Sequence, residues 1–126
     1  KLKSGIDVVI HSSNIKDELS QDSISDILID AGIAKNEFPS KITDCLSDIV
    51  EQINIQADFI LIMIGGETSY KCAKKMKSKY LEILDTIMPA IPLCIDSNSK
   101  FIATKSGNFG TNSTLVDIIN YFENKK

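Results

Sequence analysis

Two short glycine-containing segments carry the residues best suited to chemistry. The first is GGETS at 65–69, which follows the continuously apolar run Phe59–Ile64 and precedes a helical pattern. The first turn of a helix leaves backbone N–H groups unpaired, and glycines allow close approach to an anion. The segment therefore predicts a phosphate-binding loop, with a plain strand-to-helix turn as the alternative. The residues assigned to it are Gly65, Gly66, Glu67 and Thr68.

The second segment is KSGNFG at 105–110, which follows the strand-like run Phe101–Thr104. Lysine is a compact charge that suits phosphate oxygens. Gly107 and Asn108 tolerate the left-handed backbone that turns successive N–H groups toward one anion. A plain turn is again the alternative, although the two loops together favour a phosphate site. The residues assigned are Lys105, Ser106, Gly107, Asn108 and Gly110.

Other polar residues give less specific signals. Glu67 is placed to bind Mg²⁺ through water, or to serve as the carboxylate expected at a helix start. His11 has no second histidine and no close cysteine, so no metal site is predicted. The lysines at 71–79 are interpreted as a solvated helix face. No nucleophile-base set stands out, and the catalytic residues stay unknown.

Composition limits the class of protein. The 126 residues are 43% apolar, which is enough for one domain with its own core. No apolar run is long enough to cross a bilayer, and the start, KLKSG, is not a signal peptide. All 14 basic residues are lysines and tryptophan is absent, so a nucleic-acid partner is not expected. Cys45, Cys72 and Cys94 have no metal-site or redox spacing and are interpreted as reduced core cysteines of a cytoplasmic protein.

The hydrophobic pattern predicts an α/β fold: a single domain with a mixed, mostly parallel sheet flanked by helices. The Phe59–Ile64 run is interpreted as a central strand covered on both faces. Its C-terminal end and that of the 101–104 strand should meet at one edge of the sheet. The predicted strands are 7–11, 59–64, 81–84, 92–95 and 101–104, the last two as a hairpin. The predicted helices cover 24–31, 40–53, 68–79 and a segment after Gly110, with 12–21 as a loop.

With both loops in place, the chain resembles the C-terminal domain of the four-carbon acid sugar kinases, which include the 3-oxo-tetronate, threonate and erythronate kinases. Three stretches carry the resemblance: GGETS at 65–69, LEILDTIMPAIPLC at 81–94 and KSGNFG at 105–110. It extends from about Asp7 to Phe122, although residues 12–57 match only in pattern. The chain departs from the family in its lysine-rich helix after GGETS and in Ile91, where a small residue is expected.

The resemblance implies a domain that binds ATP with Mg²⁺, while an N-terminal domain holds the sugar acid and the catalytic base. Because the sequence lacks an initiator methionine and begins close to a strand-like run, it is expected to be a fragment (1–126) of a longer protein. On the resemblance, that protein is a kinase, and the fragment without its N-terminal domain is expected to be inactive. The whole enzyme would transfer the γ-phosphoryl group of ATP to a hydroxyl of a four-carbon acid sugar. The rival hypothesis is a non-catalytic α/β ligand-binding or regulatory domain.

Overall fold

The computed structural model describes residues 4–12, 21–55 and 58–125. Most of the predicted 12–21 loop lies outside these ranges. Four helices form within them: α1 (Gln21–Asp30), α2 (Phe38–Asn54), α3 (Gly66–Lys75) and α4 (Thr114–Glu123). Four strands form as well: β1 (Leu61–Ile64), β2 (Leu81–Met88), β3 (Ile91–Asp96) and β4 (Phe101–Lys105). All four predicted helices are therefore confirmed, and so is the α/β class.

The strands form one sheet in the order β1-β4-β3-β2. Strand β1 runs parallel to β4, whereas β2 with β3 and β3 with β4 are antiparallel. The sheet is mixed, but one parallel pair in three does not make it mostly parallel. The reason lies in the connections, because the short turns after β2 and β3 can join only antiparallel neighbours.

Strand β1 lies at an edge of the sheet formed by the described residues, and not in its centre as predicted. Its side chains are covered unevenly: Met63 is buried, while Ile64, and Ile60 just before the strand, are 40% and 41% exposed. A continuous apolar run favours a strand covered on both faces, but it does not specify how many strands lie on either side of it. Here α3 packs against one face, and α4 supplies Leu115 and Ile119 to a cavity beside the strand.

The predicted strand at 7–11 is wrong, because these residues form neither a helix nor a strand. Val8, Val9 and Ile10 are 43%, 71% and 45% exposed. β-Branched composition favours a strand, but a strand exists only where a neighbour offers a matching ladder of hydrogen bonds.

The predicted hairpin is confirmed, and a buried carboxylate holds its turn. Asp96 is 3% exposed, and its Oδ1 accepts hydrogen bonds from the backbone N–H groups of Asn98 and Lys100, both at 2.8 Å. Its Oδ2 accepts from the hydroxyl of Ser78. Burial alone would raise the pKa of Asp96, but these hydrogen bonds together hold the pKa below its usual range.

The core lies between α2, α3 and the sheet. Val50, Met63, Cys72, Met76 and Ile102 form its centre. Cys72 and Cys94 are buried, as predicted, and burial raises the pKa of both thiols. Cys45 is exposed, so its assignment to the core is wrong even though it follows the apolar stripe of α2. The apolar face of a helix can be wider than the part of it that a neighbouring element covers.

The lysines after GGETS do not form one solvated face. Lys71 pairs with Asp44 at 2.7 Å and Glu67 at 3.3 Å, and its side chain is only 20% exposed. Lys75 pairs with Asp48 at 2.6 Å. The Lys71–Asp44 and Lys75–Asp48 pairs join α3 to α2, because the two aspartates and the two lysines are each four residues apart, whereas the Lys71–Glu67 pair lies within α3.

Candidate functional site

The two glycine-containing loops meet at the end of the sheet where β1 and β4 terminate, as predicted. Because β1 and β4 are parallel and Ile64 pairs with Lys105, both strands end at the same level. The backbone N–H of Gly65 donates to the carbonyl of Lys105 at 2.9 Å. The first residue of one loop is therefore bonded to the first residue of the other.

The first loop enters α3 directly. Gly65 is the N-cap, with φ 99° and ψ 135°, and Gly66 is already helical. The helix was predicted over 68–79 and is observed over Gly66–Lys75, so it begins two residues earlier and ends four residues earlier than predicted. Ser69 makes the first intrahelical bond, with its backbone N–H and its hydroxyl both donating to the carbonyl of Gly65, at 2.9 and 2.8 Å. The N–H groups of 66–68 belong to the first turn, which is where a helix receives an anion.

Glu67 and Thr68 of the same loop have other contacts. The carboxylate of Glu67 accepts a hydrogen bond from the Thr43 hydroxyl at 3.2 Å and pairs with Lys71. Lys71 also donates to Ser40 Oγ at 2.7 Å. Glu67 thus takes part in the α2–α3 junction, which sequence patterns did not reveal because Thr43 lies 24 residues away in α2. Thr68 is partly buried and lines a neighbouring cavity.

In the second loop, the Lys105 ammonium contacts the backbone. Its Nζ donates to the carbonyls of Ser106 at 2.9 Å and Gly107 at 3.4 Å. Residues 106–110 are all exposed. The left-handed backbone predicted for Gly107 and Asn108 is wrong, since the positive φ of this loop, 102°, belongs to Gly110. The chain reverses through a turn in which the Phe109 N–H donates to the Ser106 carbonyl at 3.3 Å.

Gly110 is required by its surroundings as well as by its φ. A Cβ at this position would overlap Thr114 Oγ1 and lie 3.1 Å from Lys105 Cε. Thr114 is 3% exposed, and its hydroxyl accepts a hydrogen bond from the backbone N–H of Thr111 at 2.7 Å. Sequence reasoning did not identify Thr114. Its position one residue after a run of capping residues, 111–113, is the signal that could have done so.

A cavity of about 250 Å³ lies beside β1. Most of its lining is aliphatic or aromatic and comes from residues 7–10, from β1 with the residues before it, and from helices α2 and α4. Thr68 and Asp7 are polar exceptions. Such a lining cannot hold phosphate oxygens, so the candidate anion site is the pair of loops and not this cavity.

The described residues contain no group of three or more histidine, cysteine or acidic side chains that could bind a metal ion. No helix within the described ranges is long and apolar enough to cross a membrane. The positive groups that belong to the two loops are the Lys105 ammonium and the N-terminal end of α3.

A strand, a glycine loop and a helix N-terminus next to a second, lysine-bearing loop are typical of an α/β domain that binds a phosphate-containing ligand. Residues 1–115 match the family described as the nucleotide-binding C-terminal domain. The chain therefore belongs to this family. The match confirms the resemblance to the C-terminal domain of the four-carbon acid sugar kinases.

Individual relatives agree with this assignment. A 3-oxo-isoapionate kinase from Paraburkholderia graminis is 23% identical over 94 residues, which make up 74% of this chain and 20% of the relative. A crystal structure of a Haemophilus influenzae protein superposes with a TM-score of 0.62 at 22% identity, covering 84% of this chain and 24% of that one. A Bordetella bronchiseptica domain of unknown function, crystallised with citrate, superposes with a TM-score of 0.59 at 14% identity. The match covers 64% of this chain and 22% of that one. The chain thus spans about a fifth to a quarter of these relatives, and the structures share its fold.

Proposed function

We propose that this chain is the ATP-binding part of a cytoplasmic kinase that phosphorylates a four-carbon acid sugar. The observation that carries the proposal is the junction of the two loops at the ends of β1 and β4, joined by the Gly65–Lys105 hydrogen bond of 2.9 Å. Phosphoryl transfer depends mainly on positioning and on stabilising negative charge. The N–H groups at the start of α3 and the ammonium of Lys105 are suited to both tasks.

Open space at two glycines supports a phosphate site at the loops. A Cβ added at Gly66 would meet no heavy atom within 4 Å, and the same is true of Gly107, so both loops leave open space above the backbone. The exposed residues 106–110 can close over an anion that rests on the first turn of α3. In this arrangement Gly65, Gly66 and Thr68 contact the phosphates from one side, and Lys105 and Ser106–Asn108 from the other.

Mg²⁺ would arrive with the nucleotide. This ion keeps several waters and is usually held by one or two carboxylates together with substrate phosphates. Glu67 is the carboxylate of the first loop, and it is already paired with Lys71 and Thr43. We therefore assign Glu67 mainly to the α2–α3 junction, and we expect it to contact Mg²⁺ only through a water molecule. The sugar acid and the general base belong to the N-terminal domain of the whole kinase.

The nucleotide site can be tested by titrating Mg·ATP into the wild-type chain, Lys105→Ala and Lys74→Ala. Loss of Lys105 should weaken binding by roughly ten- to a hundredfold, because a charge-assisted contact to phosphate is lost. Lys74 is an exposed lysine in the last turn of α3, so its loss should leave the affinity unchanged. Equal effects of the two substitutions would show a diffuse positive surface and overturn the proposed site.

A domain that binds a phosphate ligand without catalysis would give the same titration. The kinase assignment needs the full-length protein, assayed for ADP release with short sugar acids. Binding of ATP without turnover of any four-carbon acid sugar would favour the regulatory alternative.

A further inference from the structure

The end of the Lys105 side chain, its Cε and its ammonium, lies against its own loop. Its ammonium contacts the carbonyls of Ser106 and Gly107 at 2.9 and 3.4 Å. Its Cε lies over Gly110, at 3.1 Å from the position that a Cβ would take. A lysine side chain has four flexible bonds and normally samples many rotamers, so ordering it before a ligand binds lowers the cost of binding.

Thr114 also borders the space above Gly110. The Thr114 side chain is buried and approaches the same Cβ position of Gly110 as the Lys105 methylenes. Its hydroxyl accepts from the N–H of Thr111 at 2.7 Å, which fixes the chain between Gly110 and α4. Thr114 therefore fixes the chain next to Gly110, and the lack of a side chain at Gly110 leaves the room that the end of the Lys105 side chain occupies.

We propose that Thr114 and Gly110 are positioning residues that hold the Lys105 ammonium over the second loop, ready for a phosphate oxygen. The inference rests on the proposed function, because it assumes that Lys105 binds phosphate. Two of the three N–H donors of the ammonium go to the Ser106 and Gly107 carbonyls, which leaves the third for the ligand. Neither Thr114 nor Gly110 needs to touch the nucleotide.

A double-mutant cycle separates positioning from a general loss of structure. Mg·ATP affinity is measured for Thr114→Val, Lys105→Ala and the double variant, with melting temperatures alongside. Valine keeps the shape of threonine and removes the acceptor, so Thr114→Val should weaken binding about two- to tenfold. In the Lys105→Ala background the same substitution should have no further effect, because a positioning residue acts only through its target. Thr114→Ser, which keeps the hydroxyl, should restore most of the affinity.

Thr86→Val is the matched control, since Thr86 is exposed on β2 at the opposite edge of the sheet. Additive losses from Thr114→Val and Lys105→Ala, or an affinity for Thr114→Val equal to that of Thr86→Val, would overturn the inference. If Lys105→Ala itself leaves the affinity unchanged, the proposed function fails instead. If Thr114→Val unfolds, Gly110→Ala replaces it in the cycle. If both variants unfold, the two residues are needed for folding itself, and the positioning role is rejected.

Discussion

Gly65 and Lys105 are joined through their backbones, with the N–H of Gly65 donating to the carbonyl of Lys105 at 2.9 Å. Gly65 makes this bond at φ 99°, which side-chain-bearing residues rarely adopt. The bond ties the entry to α3 to the end of β4. Strain introduced at Gly65 is therefore expected to reach both loops of the candidate site.

Gly65→Ala should destabilise the domain, while Gly66→Ala should not. The alanine at 65 would be strained by its positive φ, at a cost of about 1–3 kcal/mol. Gly66 is helical, its φ is not positive, and a Cβ there meets nothing within 4 Å. Alanine also favours helix over glycine, so the stability of Gly66→Ala should be unchanged or slightly higher.

Thermal melting of the two variants checks this contrast, and Mg·ATP titration of Gly66→Ala adds a second result. If the phosphates approach Gly66 closely, a methyl group there should weaken binding in a protein that melts normally. Equal destabilisation by both substitutions would show that the positive φ at 65 is not what requires glycine.

Lys71→Met should loosen the junction between α2 and α3, and Lys74→Met should not. Lys71 contacts Asp44, Glu67 and Ser40 together, and its hydrogen bond to Asp44 holds the pKa of that carboxyl below its usual value. A carboxyl with a lowered folded-state pKa contributes stability that is present above its unfolded value and is lost as pH falls through the lowered one. The difference in melting temperature between wild type and Lys71→Met should therefore be largest near neutral pH and shrink below about pH 4.

Melting curves at several pH values measure this difference for both lysine variants. High salt should reduce it as well, since the pair is partly exposed. A difference that stays constant into acid would mean that Lys71 acts through packing of its methylenes and not through the ion pair.

Asp96→Asn should destabilise the β3–β4 hairpin. Asp96 Oδ1 accepts from the backbone N–H groups of Asn98 and Lys100, and Oδ2 accepts from the Ser78 hydroxyl and from Asn98 Nδ2. Asparagine replaces one oxygen by an NH2 group, so the Asn98 Nδ2 donor loses its acceptor even if the Ser78 hydroxyl turns to accept. Leaving a buried donor unpaired costs about 1–3 kcal/mol. Asp58→Asn is the control, because its fully exposed carboxylate pairs only with Lys100 among the described residues.

Urea unfolding of the two variants gives the free energies. The lowered pKa of Asp96 also predicts that its contribution is present at neutral pH and fades as pH falls below about 4. Similar unfolding midpoints for Asp96→Asn and wild type would show that the turn holds without the charged carboxylate.

The three cysteines should react at different rates with a thiol reagent. Cys45 is exposed, whereas Cys72 and Cys94 are buried and burial raises the pKa of both. The thiolate is the reactive form, so the two buried thiols should be protected in the folded protein. Titration with a colorimetric reagent should count one fast thiol before denaturation and all three after it, and Cys45→Ser should abolish the fast one.

The helices and the hairpin followed from the sequence because their signals are local. The apolar stripe of α2, the polar turn before Phe101 and the terminal stripe of α4 each depend on residues close together in the chain. The two loops were identifiable as candidates, since glycines between an apolar strand and a helix occur in phosphate-binding loops as well as in plain turns. The prediction that the two loops meet followed from the expectation that the strands before them have their C-terminal ends on the same side of the sheet.

Tertiary structure decided what depends on partners far away in the sequence. The position of β1 at an edge, the exposure of residues 7–11 and the exposure of Cys45 each reflect which neighbour is present, and apolar composition does not specify that. Glu67 and Lys71 join the α2–α3 junction because Thr43 and Asp44 lie opposite them. Packing also decides that glycine is required at 110 and not at 107. The side chains of Thr114 and Lys105 occupy the space that a side chain at 110 would need.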